Sequence, residues 1–403
     1  MKITEITTHV LLDPAYAIDA TSSAQDTIVV EVETDEGLVG IGETDLNAWI
    51  ARACIEAPGT HTMDRGLKAM LIGRTLDDDP EALWDELYVG TCMTGRRGAL
   101  VHALGALDIA LWDLRGKAAG LPVWQLLGER AHDRLTPYAS LQPETASFDE
   151  YVRSMAAWAA RARELGFTAV KMEATFAGPY KHKGLDGPDE WVVEVLRAVR
   201  SAVGPEIAIM VDVQYAFDDV ERALRVAEAI APYDVFFLET PLWVDDLEGH
   251  AWLSERSPVR IASGEWLSTR FDFVDLIDRG GVQVAQPDIG RVGGLTEARR
   301  VASYAASRGR LVVPHAWKTG ISVAVAAHLA TVVPQMPYFE YLPAELCESE
   351  LRKRLTKDDE LVYDEGTLSV PMRPGLGVEL DRDAVAEFAE AALRLERDRG
   401  VRP

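Results

Sequence analysis

The 403-residue chain has few cysteines, no excess of basic residues and no long apolar run. Each shortage excludes a class of site, partner or location. Its cysteines, Cys54, Cys92 and Cys347, are scattered and odd in number. They form neither a disulfide framework nor a zinc-ligand spacing, so we expect a reducing, cytoplasmic setting. A formal net charge of −24 argues against nucleic acid and anionic membranes as partners. No apolar run approaches the roughly 20 residues of a membrane span.

The overall composition is that of an ordinary globular protein, with 48% hydrophobic and 26% charged residues. The length suits one barrel plus a smaller domain and exceeds what one simple core needs. The acidic balance still permits a small anionic substrate, because a bound cation can reverse the local field.

The first part of the chain predicts an α+β domain over residues 1–130. The segment TIVVEVETDEGLVGIGE has two β-rich runs around the turn DEG, which predicts a hairpin. The segment VHALGALDIALWDLRGKAAG has apolar residues at helical spacing and ends at Gly120, with Pro122 just beyond, which predicts a helix stop.

From about residue 134 the pattern changes to strand followed by helix, and eight strand candidates can be counted. This alternation predicts an α/β fold with a parallel sheet over residues 131–365. An open doubly wound sheet shares the alternation, but no glycine-rich phosphate loop follows the first strand, and polar residues recur at nearly every strand end. Both observations favour a closed barrel. Residues 366–403 predict a strand, a loop and a helix that return to the first domain.

A row of polar residues, each after a short apolar run, is the strongest functional signal. The members are 23 to 27 residues apart, namely Asp212, Glu239, Glu265, Asp288, His315 and Glu340. Each interval fits one strand, one helix and two loops. Barrels of this kind carry their chemistry at the strand C-termini, so these groups are expected to share one site.

Three of these acids, Asp212, Glu239 and Glu265, would meet on adjacent strands. Carboxylates and water are the ligands that Mg²⁺ prefers, and the ion usually keeps open positions for substrate. The alternative is that they cap helices or form ion pairs. Because three occur in register, a metal site is favoured.

Asp288 and His315 end successive strands and can form a dyad. A carboxylate bonded to one imidazole nitrogen fixes the tautomer and raises the basicity of the other nitrogen. A single histidine is more often structural. Here the strand-end position beside an acid favours a catalytic base.

Other polar residues near these strand ends each have more than one interpretation. Lys171 and Glu173, in AVKME, point to one face of the second strand. The lysine can bind a substrate carboxylate, act as a base or pair with the metal-site acids. Glu340 can pair with a basic group or, when protonated, donate to a developing oxyanion. Gln214 should face the same way as Asp212.

The segment GPYKHKG follows the second strand and carries Lys181 and His182. These residues can reach over the barrel mouth to an anionic or polyhydroxylated substrate. A solvated loop is the alternative interpretation, because exposed charges are the norm.

At these residues the chain resembles the mandelate racemase/muconate lactonizing enzyme branch of the enolase superfamily over essentially its whole length. The resemblance rests on GALDIALWDLRGKAAGLPVWQLLG, VDVQ, LETP, SGEW, QPDIGRVGG, VPHAWKTG and FEY. It implies a modified (β/α)7β TIM-like barrel and an α+β capping domain that the C-terminal segment completes. It also implies Mg²⁺ on Asp212, Glu239 and Glu265, and a homo-oligomer, either dimer or octamer. Residues 13–26 and the stretch near Trp49 are implied to close over the substrate.

One position departs from the family pattern of lysine, any residue, lysine, because Glu173 stands where the second lysine is usual. A racemase needs a base on each face of the substrate carbon, so this change favours chemistry from a single face with His315 as base. We therefore expect an acid-sugar dehydratase that acts on a small carboxylate and gives a 2-keto-3-deoxy acid. His315, Glu173 or Tyr215 can protonate the departing hydroxyl. An epimerase or racemase, a cycloisomerase and a noncatalytic barrel are the alternatives.

Overall fold

The computed structural model describes residues 1–18, 20, 22–142, 146–347, 349–357 and 361–400. The predicted loop 13–26 is therefore described except for residues 19 and 21, and the predicted C-terminal segment is described as far as residue 400. No helix in these ranges is long and apolar enough to cross a membrane.

The N-terminal part begins with an antiparallel sheet of three strands in the order β1-β2-β3. The strands are β1 Ile3–Leu12, β2 Asp26–Thr34 and β3 Val39–Thr44. Gly37, with φ of +82°, makes the predicted turn between β2 and β3. The helices that follow are α1 Ala48–Glu56, α2 Leu67–Leu71, α3 Pro80–Gly90, α4 Cys92–Gly95, α5 Ala99–Ala119 and α6 Val123–Leu127. Gly120 ends α5 in the left-handed conformation, as its position predicted.

Helix α5 is buried along most of its length because it lies between the small sheet and the barrel. Glycines make both contacts close. A Cβ atom on Gly42 of β3 would lie 2.0 Å from the carbonyl oxygen of Ala106, and one on Gly105 would lie 2.1 Å from the carbonyl oxygen of Gly290. The helix therefore couples the N-terminal sheet to a barrel loop.

The segment RLTPYASL, predicted as one strand, is divided in the structure. Residues Arg134–Leu135 form β4, which pairs antiparallel with Thr367–Ser369 outside the barrel. Only Pro137–Leu141, strand β5, enters the barrel sheet. Proline has no N–H to continue the antiparallel ladder, so the division falls there.

The barrel sheet contains eight parallel strands in the order β11-β10-β9-β8-β7-β6-β5-β12. After β5 its strands are β6 Ala169–Glu173, β7 Ala208–Asp212, β8 Val235–Glu239, β9 Ile261–Ser263, β10 Val284–Ala285, β11 Leu311–Val312 and β12 Phe339–Tyr341. The intervening helices are α7 Phe148–Glu164, α8 Glu190–Val203, α9 Val220–Ile230, α10 Leu247–Arg256, α11 Thr269–Asp278, α12 Ile289–Val292, α13 Leu295–Ser307 and α14 Gly320–Val332. A bond of 2.8 Å from the Ala316 N–H to Glu340 Oε2 links the segment that follows β11 to strand β12. The predicted TIM-like barrel with an N-terminal α+β domain is confirmed.

The chain after the barrel returns to the N-terminal sheet. Its elements are α15 Glu350–Arg354, β13 Thr356–Lys357, β14 Tyr363–Asp364, β15 Thr367–Ser369, β16 Glu379–Leu380 and α16 Arg382–Arg399. Helix α16 packs on β1, and Arg382 at its start pairs with Glu31 of β2 at 2.6 Å. Near its end Glu396 accepts a bond of 2.7 Å from the indole N–H of Trp49.

Candidate active site

Three neighbouring strands each end in an acidic residue at the barrel mouth. Glu173 ends β6, Asp212 ends β7 and Glu239 ends β8, and in the ladder Asp212 stands opposite both of the others. Glu265 follows two residues after β9. The predicted positions of these acids at strand C-termini are therefore those of the structure.

Local backbone geometry holds Asp212 in place. Its Oδ1 accepts bonds from the Gln214 N–H at 2.9 Å and from the Thr240 hydroxyl at 2.8 Å. Gln214 and Tyr215 have φ values of +43° and +59°, so the chain turns sharply after the strand. This turn puts Gln214 beside the carboxylate that its spacing predicted.

The acids Asp212, Glu239 and Glu265 have features that fit a bound cation. Among the described residues, no donor lies in hydrogen-bonding geometry to the buried Glu239 Oε2, an orphaned acceptor that a cation would satisfy. Burial and the neighbouring charge of Glu239 raise the pKa of Asp212 well above its usual range. A divalent ion would relieve that repulsion.

The ligand atoms of these three carboxylates do not all lie within 4.8 Å of one another. Within the described ranges, the only His, Cys, Asp or Glu trio whose ligand atoms all lie within 4.8 Å is Asp45, Asp288 and His315. Asp45 is already paired with Arg291 and Lys318, so that trio is a poor metal site. Asp212, Glu239 and Glu265 would hold Mg²⁺ through carboxylate oxygens, the ligands that this ion prefers.

Lys171 is a buried cation shared between two carboxylates. Its Nζ lies 3.0 Å from Glu239 Oε1 and 3.0 Å from Glu340 Oε1. Burial alone would lower the pKa of Lys171, but the charges of Glu239 and Glu340 outweigh it and hold the pKa well above its usual range. The interpretation of Lys171 as a partner of the site acids fits this geometry better than that of a free base.

His315 and Asp288 are in contact, as their spacing predicted. His315 Nδ1 lies 2.7 Å from Asp288 Oδ2, while Asp288 Oδ1 caps α12 by accepting from the Arg291 N–H at 2.9 Å. The other imidazole nitrogen lies 3.4 Å from Glu265 Oε2 and 4.0 Å from Glu340 Oε2. Burial opposes charge on the ring, but Glu340 and Asp288 raise the pKa of His315 to about 9.

A buried ionic group from the N-terminal part, which was missed in the sequence, adjoins this pair. Asp45, just after β3, pairs with the Arg291 guanidinium and lies 2.9 Å from Lys318 Nζ. Lys318 also donates to the carbonyl oxygens of Ser23 and Asp26. The segment around residues 23–26 is thereby fastened to the loop that carries His315.

Glu173 has a partner that the spacing did not reveal. His182 Nε2 lies 2.6 Å from Glu173 Oε1, and both side chains are mostly buried. Lys181, beside His182, is exposed and pairs with Asp186. The two predicted residues of this loop therefore differ: the His182 side chain points inward and the Lys181 side chain points outward.

Four aromatic residues line the loops after β6 to β9, and only Tyr215 was predicted among them. Tyr215 packs on Trp266 with ring centres 4.3 Å apart, and Tyr180 and Trp243 complete the group. Trp243 is 41% exposed, so part of this aromatic group faces solvent. Trp49, predicted to lie near the substrate, instead donates its indole N–H to Glu396 of α16.

Comparison with protein-family models gives two matches that together span most of the chain. The model described as "Mandelate racemase / muconate lactonizing enzyme, N-terminal domain" matches residues 2–128, and "Enolase C-terminal domain-like" matches residues 154–384.

Individual relatives have several different names. An L-rhamnonate dehydratase of Saccharopolyspora erythraea is 33% identical over 88% of this chain and 83% of its own. A D-galactarolactone cycloisomerase of Agrobacterium fabrum is 30% identical over 96% and 99%. A solved racemase from Streptomyces coelicolor A3(2), with bound magnesium, superimposes with a TM-score of 0.80 at 26% identity, covering 96% and 99%.

Proposed function

The chain is an enzyme of the mandelate racemase/muconate lactonizing enzyme family, within the enolase superfamily, and from that premise we propose that it is a Mg²⁺-dependent acid-sugar dehydratase. The name of the L-rhamnonate dehydratase relative supports this substrate class. The proposed substrate is an aldonate or aldarate, a small polyhydroxylated carboxylate.

The observation that carries the proposal is the His315–Asp288 pair facing the mouth carboxylates. Asp288 holds Nδ1 at 2.7 Å, which leaves Nε2 as the nitrogen that takes a proton. The surrounding acids stabilise the imidazolium that results, and because they raise the pKa of His315 to about 9, the neutral form that acts as the base becomes more populated as the pH rises toward that value. His315 is therefore the proposed base for the proton next to the substrate carboxylate.

The proposed metal ligands are Asp212, Glu239 and Glu265. Mg²⁺ bound there would act as a Lewis acid on the substrate carboxylate. Lys171 supports the site by holding Glu239 and Glu340 in place, each at 3.0 Å. Glu340 in turn accepts the Ala316 N–H, which positions the loop of His315.

The reaction follows from these positions in two steps. His315 removes the α-proton, and the electron pair of that C–H bond enters the enediolate of the substrate. The 3-hydroxyl then leaves as water once it is protonated, and the enol relaxes to a 2-keto-3-deoxy acid. The polar loop residues Gln214 and Tyr215 lie beside this centre and are proposed to contact the substrate.

A library of sugar acids with Mg²⁺ tests the proposal. A hit should lose 18 mass units and react as a keto acid. His315→Asn should lower kcat at least 10²-fold, because it removes the base, while Mg²⁺ binding measured by calorimetry stays within a few-fold of the unsubstituted protein. Retained turnover by His315→Asn would rule out the assigned base, and lack of Mg²⁺ binding by the unsubstituted protein would favour a noncatalytic barrel.

A second candidate is a cycloisomerase, which the relative from Agrobacterium fabrum favours because the alignment covers almost all of both chains. The same base can start that reaction. Its product would have the mass of the substrate, so the same mass spectra distinguish the two. An epimerase or racemase would also keep the mass, but would place solvent deuterium on the α-carbon of inverted substrate.

A further inference from the structure

Glu173 occupies a defined place at the barrel mouth. It is the last residue of β6, two positions after Lys171, so both side chains point to the barrel interior. Lys171 confirms that direction, because its Nζ reaches Glu239 and Glu340. The Glu173 carboxyl group therefore belongs to the ring of strand-end groups.

His182 contacts the Glu173 carboxyl group. The imidazole packs near the ring of Tyr151 on α7, with ring centres 5.6 Å apart, and its Nε2 lies 2.6 Å from Glu173 Oε1. The Tyr151 hydroxyl donates to the Glu173 carbonyl oxygen at 2.9 Å, so one helix residue supports both partners. Glu173 Oε1 is buried, whereas the side chain as a whole is 19% exposed, so part of it is open to solvent.

The pair stands across the mouth from the dyad. In the sheet order, three strands separate β6 from β10, which Asp288 follows, and β11, which His315 follows, lies one strand further on. A substrate bound over the carboxylates would have His315 on one side and Glu173 on the other.

We propose that Glu173 is the catalytic acid of the dehydration and that His182 is its positioning residue. The inference rests on the proposed function. Oε2–H of Glu173 gives its proton to the 3-hydroxyl as the C–O bond breaks and water departs. The electron pair of the enediolate forms the new C=C bond of the enol. The His182 imidazole, with Nε2 2.6 Å from Oε1, stabilises the carboxylate that remains by its charge.

The test uses two substrates that differ only in the leaving group. One is the sugar acid that the unsubstituted enzyme dehydrates, and the other is its 3-deoxy-3-fluoro analogue. Fluoride leaves as an anion and needs no proton, so it bypasses the acid. Glu173→Gln should lower kcat for dehydration by about 10²-fold or more, yet release fluoride within a few-fold of the unsubstituted rate. It should also keep exchange of the α-proton with solvent deuterium.

His182→Asn should lower kcat for dehydration by about tenfold with little change in KM, and should leave fluoride release unchanged. Asp186→Asn is the matched control, because Asp186 is an exposed residue of the same loop that pairs with Lys181. It should match the unsubstituted enzyme on both substrates. Glu173→Asp, which retains a carboxyl group, should recover part of the dehydration.

Each outcome decides the question. Dehydration by Glu173→Gln at the unsubstituted rate overturns the inference. Parallel loss of fluoride release also overturns it, since the residue would then serve the structure or the first step. If the unsubstituted enzyme dehydrates no sugar acid, the proposed function fails and the inference with it.

Discussion

Lys171 illustrates how single residues set the electrostatics of the mouth. It is the buried cation between Glu239 and Glu340, and its side chain is only 6% exposed. Removing one partner of a buried pair leaves the other charges uncompensated, which costs far more than loss of an exposed pair.

Lys171→Met should therefore destabilise the protein by about 3–5 kcal/mol. The measurement is urea unfolding in the presence of EDTA, so that contaminating divalent ions do not compensate the acids. Lys181→Met is the control, because its exposed pair with Asp186 is worth about 0–1 kcal/mol. Equal losses for the two variants would contradict the role given to Lys171.

At this scale the sequence predicted groups that sit at strand ends and missed those that meet through tertiary contacts. Asp288 and His315 were recognised because regular strand–helix spacing predicts where side chains converge. Asp45 and Lys318 have no such pattern, since more than 270 residues separate them and only the docking of the N-terminal part brings them together. The contact between His182 and Glu173 depends on the path of an irregular loop.

Among the secondary-structure elements, α5 and α12 set the position of the Asp288–His315 pair. Gly105 of α5 packs directly on the carbonyl oxygen of Gly290 in α12. Helix α12 starts at its cap Asp288, the residue that orients His315. The close approach of two backbones therefore fixes the position of the Asp288 carboxylate, which is proposed to orient the base.

Gly105→Ala should lower kcat more than it changes KM, because the added Cβ pushes α12 and its cap away from His315. The overlap should also destabilise the protein by about 1–3 kcal/mol. Steady-state kinetics on the dehydrated substrate and thermal unfolding measure the two effects. Ala118→Ser, an exposed substitution on the same helix, should change neither. A kcat within twofold of the unsubstituted value would exclude this coupling.

Element boundaries were predictable where local signals were strong. Gly120 ends α5 as its sequence context predicted, and β7 and β8 end at the predicted acids Asp212 and Glu239. The division of the first barrel strand at Pro137 was not predicted. Its partner strand lies more than 230 residues later, so no local pattern could reveal it.

On the scale of the whole molecule, Lys318 connects the N-terminal segment to the barrel. It is 2% exposed, donates to the carbonyl oxygens of Ser23 and Asp26, and pairs with Asp45. The barrel loop after β11 thus holds the chain that enters β2.

Lys318→Met should loosen this attachment, because two carbonyl groups and a carboxylate lose their donor. We expect faster hydrogen–deuterium exchange of the amides at 22–26 and a higher KM, measured by mass spectrometry and steady-state kinetics. Lys353→Met, at a partly exposed pair with Glu350, is the control and should leave both quantities unchanged. Exchange at 22–26 equal to that of the unsubstituted protein would show that other contacts hold the segment.

The packing of α16 on β1 has a consequence for the nascent chain during synthesis. About 370 residues separate the two elements, and at 5–20 residues per second a ribosome needs roughly 20–75 seconds to make them. During that time the apolar face of the first strand is not yet buried by α16. Chaperones that shield nascent chains would therefore find their earliest target at the first strand, long before the barrel is complete.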